Sequence, residues 1–433
     1  MTKAIAFIGR MGMGAAFLGM LLAAQQVPAQ EAQPLSLPTE TAPPVVEAPA
    51  PKPPEPIEMS YVRPVTTSDP GRNDGNPSWS RSGMFLTFER SVGEKKDVRV
   101  FLADLTEVQT VYHQIASGAG GVSFYFPGVV EDISYNAGLS WSPDENHFVF
   151  MSNGGAGNYD LYEGELGAGS ALRLTDHKEK DGQPDWSPRA NAVVFVSGRT
   201  GKGDLYLLDL ETKTLVRLTR GGREYLYPQW SPDGKRIAFM AGSNENHDIF
   251  VMDAPALPPP APPQPAGKGA PKGKAAAPAP APQVTVAAPK AVTAWSADDL
   301  RPVWSPDGTK LAFYSNYNST GDPRIWSIFV VAADGSDATE GDGLAAKVVA
   351  ADVVPDVERG PAWMPDSSRI VYVRNDRKEY HPIYMVDSVT RESRPLRTET
   401  KMNHDVSCGP DGTIAFRAQV DQWDQVFVAK MKE

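Results

Sequence analysis

Apolar and polar positions along this chain follow a short pattern that repeats. "WSPDGKRIAFM" at 230–240 and "WSPDGTKLAFY" at 304–314 share a tryptophan, a Pro-Asp-Gly turn and an apolar run. Proline presets φ, and aspartate and glycine let the chain reverse, so the phrase predicts a strand, a tight hairpin and a second strand. The second runs, including "FVFM" at 148–151, "VVFV" at 193–196 and "IVYV" at 370–373, are apolar on both faces, as expected for a sheet packed between two others. A third strand ending in aspartate follows at Asp104, Asp209, Asp253 and Asp387. The fourth, "ALRLT" at 171–175 or "LVRLT" at 215–219, alternates apolar and polar residues, which suits an exposed outer edge.

Aligned on their tryptophans, the units carry Trp79, Trp141, Trp186, Trp230, Trp304 and Trp363, and Cys408 holds the same place in "VSCGPDGTIAFRA". Three of the six intervals are 44 or 45 residues, a period typical of propeller blades. The intervals of 62 and 59 residues carry extra loop material near 117–135 and 332–347. The longest, from Trp230 to Trp304, contains a Pro- and Ala-rich tract. Thr175, Thr219 and Thr293 each stand eleven residues before the next tryptophan, which makes "KAVT" at 290–293 a fourth strand and puts the tract inside one blade. The last unit supplies only three strands, and "YVRPVTT" at 61–67 lies where a fourth strand belongs. The expected fold is an all-β, seven-bladed propeller of four-stranded antiparallel blades, closed by an N-terminal strand that completes the last blade; six blades is the alternative count.

The "WSPDG-x-x-[IL]-A-F" phrase, with a third strand ending in Asp and a fourth ending in "LT", resembles the WD-repeat-like propeller repeat of the periplasmic TolB family over about residues 60–433. That resemblance implies an envelope scaffold with partners like those of the Tol-Pal system, a peptidoglycan-associated lipoprotein among them. TolB proteins carry a folded α/β domain before six blades, where this chain has a Pro-rich leader and seven repeats.

Composition changes the picture at the ends. Lys3 and Arg10, the apolar stretch at 11–24 and the small residues before 29 predict a cleaved export signal over 1–29. Residues 30–59 are Pro-, Ala- and Glu-rich and predict a disordered leader, as the insert at 254–289 does within the propeller domain at 60–433. The formal charge of −11, about −13 after signal removal, argues against nucleic acid. The expected location is the periplasm, with secretion as the alternative, and no membrane span remains after cleavage. A lone cysteine precludes an intrachain disulfide, and Cys408 is expected to act as a small packing residue.

Chemical signatures are sparse. There is no G-x-S-x-G elbow, and with the repeats running to residue 433 an appended hydrolase domain, and so peptidase activity, is not expected. His113, His147, His177, His247, His381 and His404 show no H-E-x-x-H or H-x-H spacing. The acidic loop at 334–343 lacks calcium-loop order, and the turn aspartates Asp144, Asp233, Asp307, Asp366 and Asp411 read as structural. No catalytic residue, metal ligand or cofactor is assigned. Three residues before each tryptophan, the innermost strands present Asn76, Gly138, Gln183, Tyr227, Arg301, Gly360 and Asp405 to the axial channel. Of these, Asn76, Gln183, Tyr227, Arg301 and Asp405 are the candidate partner-binding residues. The function expected is a non-enzymatic, monomeric scaffold binding an envelope protein or peptide; the alternative is a metal-dependent, carbohydrate-active lyase or hydrolase-like enzyme at the channel mouth.

Overall fold

The computed structural model describes residues 53–67, 70–92, 97–105, 122–123, 136–154, 158–166, 171–243, 246–257, 284–317, 322, 324–337, 347–356, 358–376 and 380–432. The expected signal, most of the leader and the centre of the insert lie outside them.

Seven four-stranded antiparallel sheets form a ring. After β1 (Met59–Pro64), blade 1 is β2 (Arg72–Trp79), β3 (Phe85–Val92), β4 (Asp97–Asp104) and β5 (Val122–Ser123). Blade 2 is β6 (Asn136–Trp141), β7 (His147–Ser152), β8 (Asp160–Glu165) and β9 (Ala171–Arg173). Blade 3 is β10 (Asp181–Trp186), β11 (Ala192–Ser197), β12 (Asp204–Asp209) and β13 (Leu215–Arg217). Blade 4 is β14 (Glu224–Trp230), β15 (Arg236–Gly242), β16 (His247–Asp253) and β17 (Lys290–Ala291). Blade 5 is β18 (Asp299–Trp304), β19 (Lys310–Ser315), β20 (Trp326–Ala332) and β21 (Val348–Val353). Blade 6 is β22 (Ala362–Trp363), β23 (Arg369–Val373), β24 (Ile383–Asp387) and β25 (Ser393–Pro395). Blade 7 is β26 (His404–Cys408), β27 (Ile414–Val420), β28 (Trp423–Met431) and, as its fourth strand, β1.

The turns form as the sequence predicts. Ser231 Oγ donates to Asp233 Oδ1 at 2.6 Å, the Lys235 amide donates to the same oxygen at 3.1 Å, and Gly234 takes φ 68°. Asp307 repeats this with Ser305 at 2.6 Å and the Thr309 amide at 2.9 Å. The Ser231 hydroxyl, aided by the Lys235 amide, holds the Asp233 carboxyl below its usual range.

Packing between blades explains the recurrent tryptophan. The indole N–H groups of Trp230, Trp304 and Trp363 each donate at 3.2 Å to the carbonyl of the residue before the preceding blade's tryptophan, namely Asp185, Gln229 and Val303. In these three blades the ring fills the gap between sheets with its polar edge satisfied, whereas the indole N–H groups of Trp79, Trp141 and Trp186 have no partner among the described residues. Second strands bury both faces: Val193, Val194, Phe195, Ile237, Ala238 and Phe239 are wholly buried.

Closure pairs the two ends of the described fold. Val62 stands opposite Ala429 and Pro64 opposite Phe427. Blade 7 meets blade 1 through Ser407 Oγ, which donates to the Pro77 carbonyl at 2.8 Å. Before β1 the chain already touches blade 6: the Ile57 amide donates to Pro395 O at 2.8 Å, Arg397 N to Ile57 O at 3.0 Å, and Arg397 pairs with Glu58 at 2.9 Å. Phe250 pairs with Ala291, so the Pro-rich insert lies between the third and fourth strands of blade 4.

Candidate binding site at the channel mouth

First strands of neighbouring blades touch, β10 lying against β6 and β14 and β2 against β26, so they line the axis. All seven residues three places before the tryptophan position have positive φ: Asn76 51°, Gly138 67°, Gln183 52°, Tyr227 51°, Arg301 56°, Gly360 86° and Asp405 52°. In six blades the pairing register shifts across this position, as between Leu226 and Gln229 or Leu300 and Val303. This is a bulge, which bends the strand and re-aims the side chain. Five of the seven residues carry side chains despite a left-handed backbone that costs on the order of 1 kcal/mol or more each. The proline that follows in five units, Pro77, Pro184, Pro228, Pro302 and Pro361, was the available signal in the sequence.

The five candidates are partly buried and are linked around the ring rather than isolated. The Asn76 amide donates to Asp405 Oδ2 at 3.2 Å, and the Tyr227 amide to Gln183 Oε1 at 2.7 Å. The Arg301 guanidinium stacks on the Tyr227 ring, 4.1 Å from its centroid. Where blade 2 has glycine, the Gly138 amide donates instead to Glu89 Oε1 at 3.2 Å, and Asn76 Nδ2 donates to Glu89 Oε2 at 2.8 Å. Burial, only partly offset by the Asn76 bond, pushes Glu89 up to about 7.

Several residues at the mouth were missed by sequence reasoning. The connection from β21 to β22 turns into the channel, and its Arg359 donates to the Asn76 carbonyl on blade 1. Asp356 Oδ1 accepts the amides of Glu358 at 2.9 Å and Arg359 at 3.0 Å, while Oδ2 has no partner among the described residues. Burial and the charge of Asp405, opposed by Arg359 and Arg301, lift Asp356 to about 6. Arg417 bridges Asp405 at 2.8 Å and Asp424 at 3.2 Å. A cavity of about 30 Å³, room for about one water, lies beside Tyr314, Asp356, Gly360, Tyr372, His404 and Asp405. The signal was the charged run "DVERG" just before Trp363, which the repeat pattern does not require.

The histidines do not gather. His247 Nδ1 pairs with Asp298 at 2.7 Å in blade 4, whereas His404 of blade 7 meets His381 at 3.3 Å. Burial and Arg417 drive His404 down to about 4, so this imidazole is neutral near pH 7. His113 lies outside the described residues. Among the described residues no three His, Cys, Asp or Glu side chains converge on a metal position, and no helix is long and apolar enough to cross a membrane. The turn aspartates are held by their own loops, Asp366 and Asp411 accepting the Ser368 and Thr413 amides at 2.9 Å.

Residues 110–256 match the family model of the TolB beta propeller domain. The repeats within that stretch, about a third of the chain, resemble those of TolB propellers. Among solved structures, this propeller is similar to an oligogalacturonate lyase in complex with manganese, at TM-score 0.58 and 14% identity over 88% of this chain and 97% of that one. A puromycin-hydrolyzing peptidase from Mycobacterium tuberculosis gives TM-score 0.55 and 12% identity over 86% of this chain and 55% of that one. TolB from Acinetobacter baumannii gives TM-score 0.42 and 15% identity over 78% and 82%. At these identities the likeness to the lyase and the peptidase is one of fold. Comparison with curated protein sequences returns no match.

Proposed function

We propose that this TolB-type propeller is a non-enzymatic, monomeric scaffold, exported to the periplasm, whose channel mouth binds an envelope protein or peptide. The observation that carries the reading is the ring of left-handed residues. A bulge repeated in the blades aims side chains of different chemistry, Asn76, Gln183, Tyr227, Arg301 and Asp405, at one axial mouth. Polar groups held in fixed orientation around a recess suit a partner's loop or an extended segment better than a single small reactant. The TolB resemblance supplies the class of partner, Tol-Pal-like envelope components. The Pro-rich leader serves as a tether or docking arm.

Affinity capture from envelope extract tests this. The full chain should retain a discrete partner, and removing residues 31–52 should weaken retention without abolishing it. Capture of nothing specific, or capture by the leader alone, would contradict the proposal. The lyase alternative is favoured by one observation, the His381–His404 contact at the mouth. If it holds, purified protein should contain stoichiometric metal that His404→Ala loses; the scaffold reading predicts neither.

A further inference from the structure

Inside the blades, each arginine that reaches a buried carboxylate is paired with it. Arg90 meets Asp74 at 2.6 Å, Arg173 meets Asp160 at 2.7 Å, Arg199 meets Asp181 at 2.8 Å and Arg217 meets Asp204 at 2.7 Å. Arg301 departs from this rule. Among the described residues its guanidinium has the face of Tyr227 and no hydrogen-bond or ion-pair partner, and its Nε is enclosed. Burial pushes its pKa down, which is the electrostatic mark of a cation poorly compensated where it sits.

The position is built rather than incidental. Arg301 takes φ 56° at its bulge, Pro302 follows it, and Gly360 lies so close that a β-carbon there would stand 2.7 Å from the Arg301 carbonyl and 3.1 Å from its β-carbon. Stacking on Tyr227 holds the guanidinium plane and leaves its forked N–H edge to make bonds. Asp356 and Glu358 act on it through charge without bonding to it. Asp356 spends Oδ1 on two backbone amides and keeps Oδ2 unpaired. Asp356 Oδ2 is enclosed, so what the mouth offers a partner is the unused cationic fork of Arg301.

We infer that the channel mouth takes an acidic segment of a polypeptide, with an Asp or Glu side-chain carboxylate bound to the terminal N–H edge of the Arg301 guanidinium. This rests on the scaffold reading and names the chemistry of its partner. A carboxylate matches the fork in two parallel bonds. A doubly charged phosphate is disfavoured because Asp356, Asp405, Asp424 and Glu89 surround the same mouth. A basic or neutral segment would leave the fork unanswered.

The test is a calorimetric titration of the full chain with acetyl-Gly-Glu-Gly-amide and with acetyl-Gly-Gln-Gly-amide, which differ in one charge. The glutamate peptide should bind at least about tenfold more tightly, since charge-assisted bonds exceed neutral ones by about that factor. Arg301→Met should erase the preference while leaving the unfolding midpoint unchanged or higher, because no carboxylate loses a bonded partner. Arg301→Lys, which keeps charge without the fork, should retain a reduced preference. Equal binding of the two peptides, or a preference that survives Arg301→Met, overturns the inference. If wild type and Arg301→Met recover the same envelope partner equally, the carboxylate assignment fails and the scaffold reading stands. If the glutamate preference holds and no partner is recovered, the scaffold reading fails and the carboxylate site stands.

Discussion

Cys408 directs its thiol to the carbonyl of Ala362 at 3.8 Å, the counterpart of the bond that the Trp363 indole makes to Val303 one blade earlier. A small side chain thus keeps the inter-blade contact at the one position where the large ring is absent. Burial drives the thiol pKa upward, so it is a poor nucleophile. Cys408→Ala should cost no more than about 1 kcal/mol in urea unfolding, the worth of a weak bond and one sulfur atom. The native thiol should react with a disulfide reagent only on unfolding. Fast labelling of folded protein would contradict this.

Blade 4 lacks an ion pair that blades 2 and 3 have. Tyr206 stands opposite Arg217, Tyr162 opposite Arg173, and Phe250 opposite Ala291. Arg217 and Arg173 reach the aspartate at the start of the third strand; in blade 4 that residue is Asp248, whose Oδ1 has no partner among the described residues. Ala291→Arg should pair with Asp248 and stabilise the protein by about 0.5 kcal/mol, a modest figure because the equivalent arginines are a third exposed. A lower urea midpoint would show that the register does not carry over.

Glycines at the channel differ in what they tolerate. At Gly360 a β-carbon would stand 2.6 Å from Val303 Cγ2 and 2.7 Å from the Arg301 carbonyl, on a backbone at φ 86°. At Gly138 the nearest atom would be Pro184 Cδ at 3.7 Å. Both replacements by alanine carry left-handed strain, but Gly360→Ala adds a clash and should cost about 2 kcal/mol or more, against about 1 for Gly138→Ala. Equal losses by calorimetry would contradict the close approach.

One buried acid sets a pH response. Asp181 in blade 3 has Arg199, but its counterpart Asp299 in blade 5 accepts the neutral indole N–H of Trp295 at 2.9 Å, and Tyr317 stands where Arg199 would be. Burial lifts Asp299 to about 8. The folded state therefore holds this proton more tightly than the unfolded chain, whose aspartate titrates near about 4. Its stabilising contribution is complete below about pH 4 and is lost as pH rises to about 8. Asp299→Asn keeps the carbonyl acceptor and removes the ionisation, so its stability relative to wild type should climb between pH 5 and 8 and level off above. Parallel pH profiles for the two proteins would rule this out.

Much of the fold was legible because propeller blades obey local rules. Trp-Ser-Pro-Asp-Gly specifies a packing ring and a turn within five residues, and the eleven-residue step from Thr293 to Trp304 located the insert without tertiary information. Closure by β1 followed from counting strands. The mouth was legible only as seven positions. Their left-handed backbone was signalled only by the proline that follows in five units, and the reach of Arg359, between blades 5 and 6, to Asn76 on blade 1 and the solitude of Arg301 depend on side chains far apart in the chain, which repeat spacing does not encode. The hold of Ile57 on Pro395 was hidden for the same reason, since composition alone made that stretch part of a leader.

Site-specific photocrosslinking tests the central claim most directly. A benzophenone side chain placed at Tyr227, on the mouth, and in a second variant at Leu215, 41% exposed on the outer strand of blade 3, is irradiated in envelope extract. Binding at the mouth predicts a discrete adduct from position 227 and none from 215. An adduct from 215 alone, or none from 227, would contradict it.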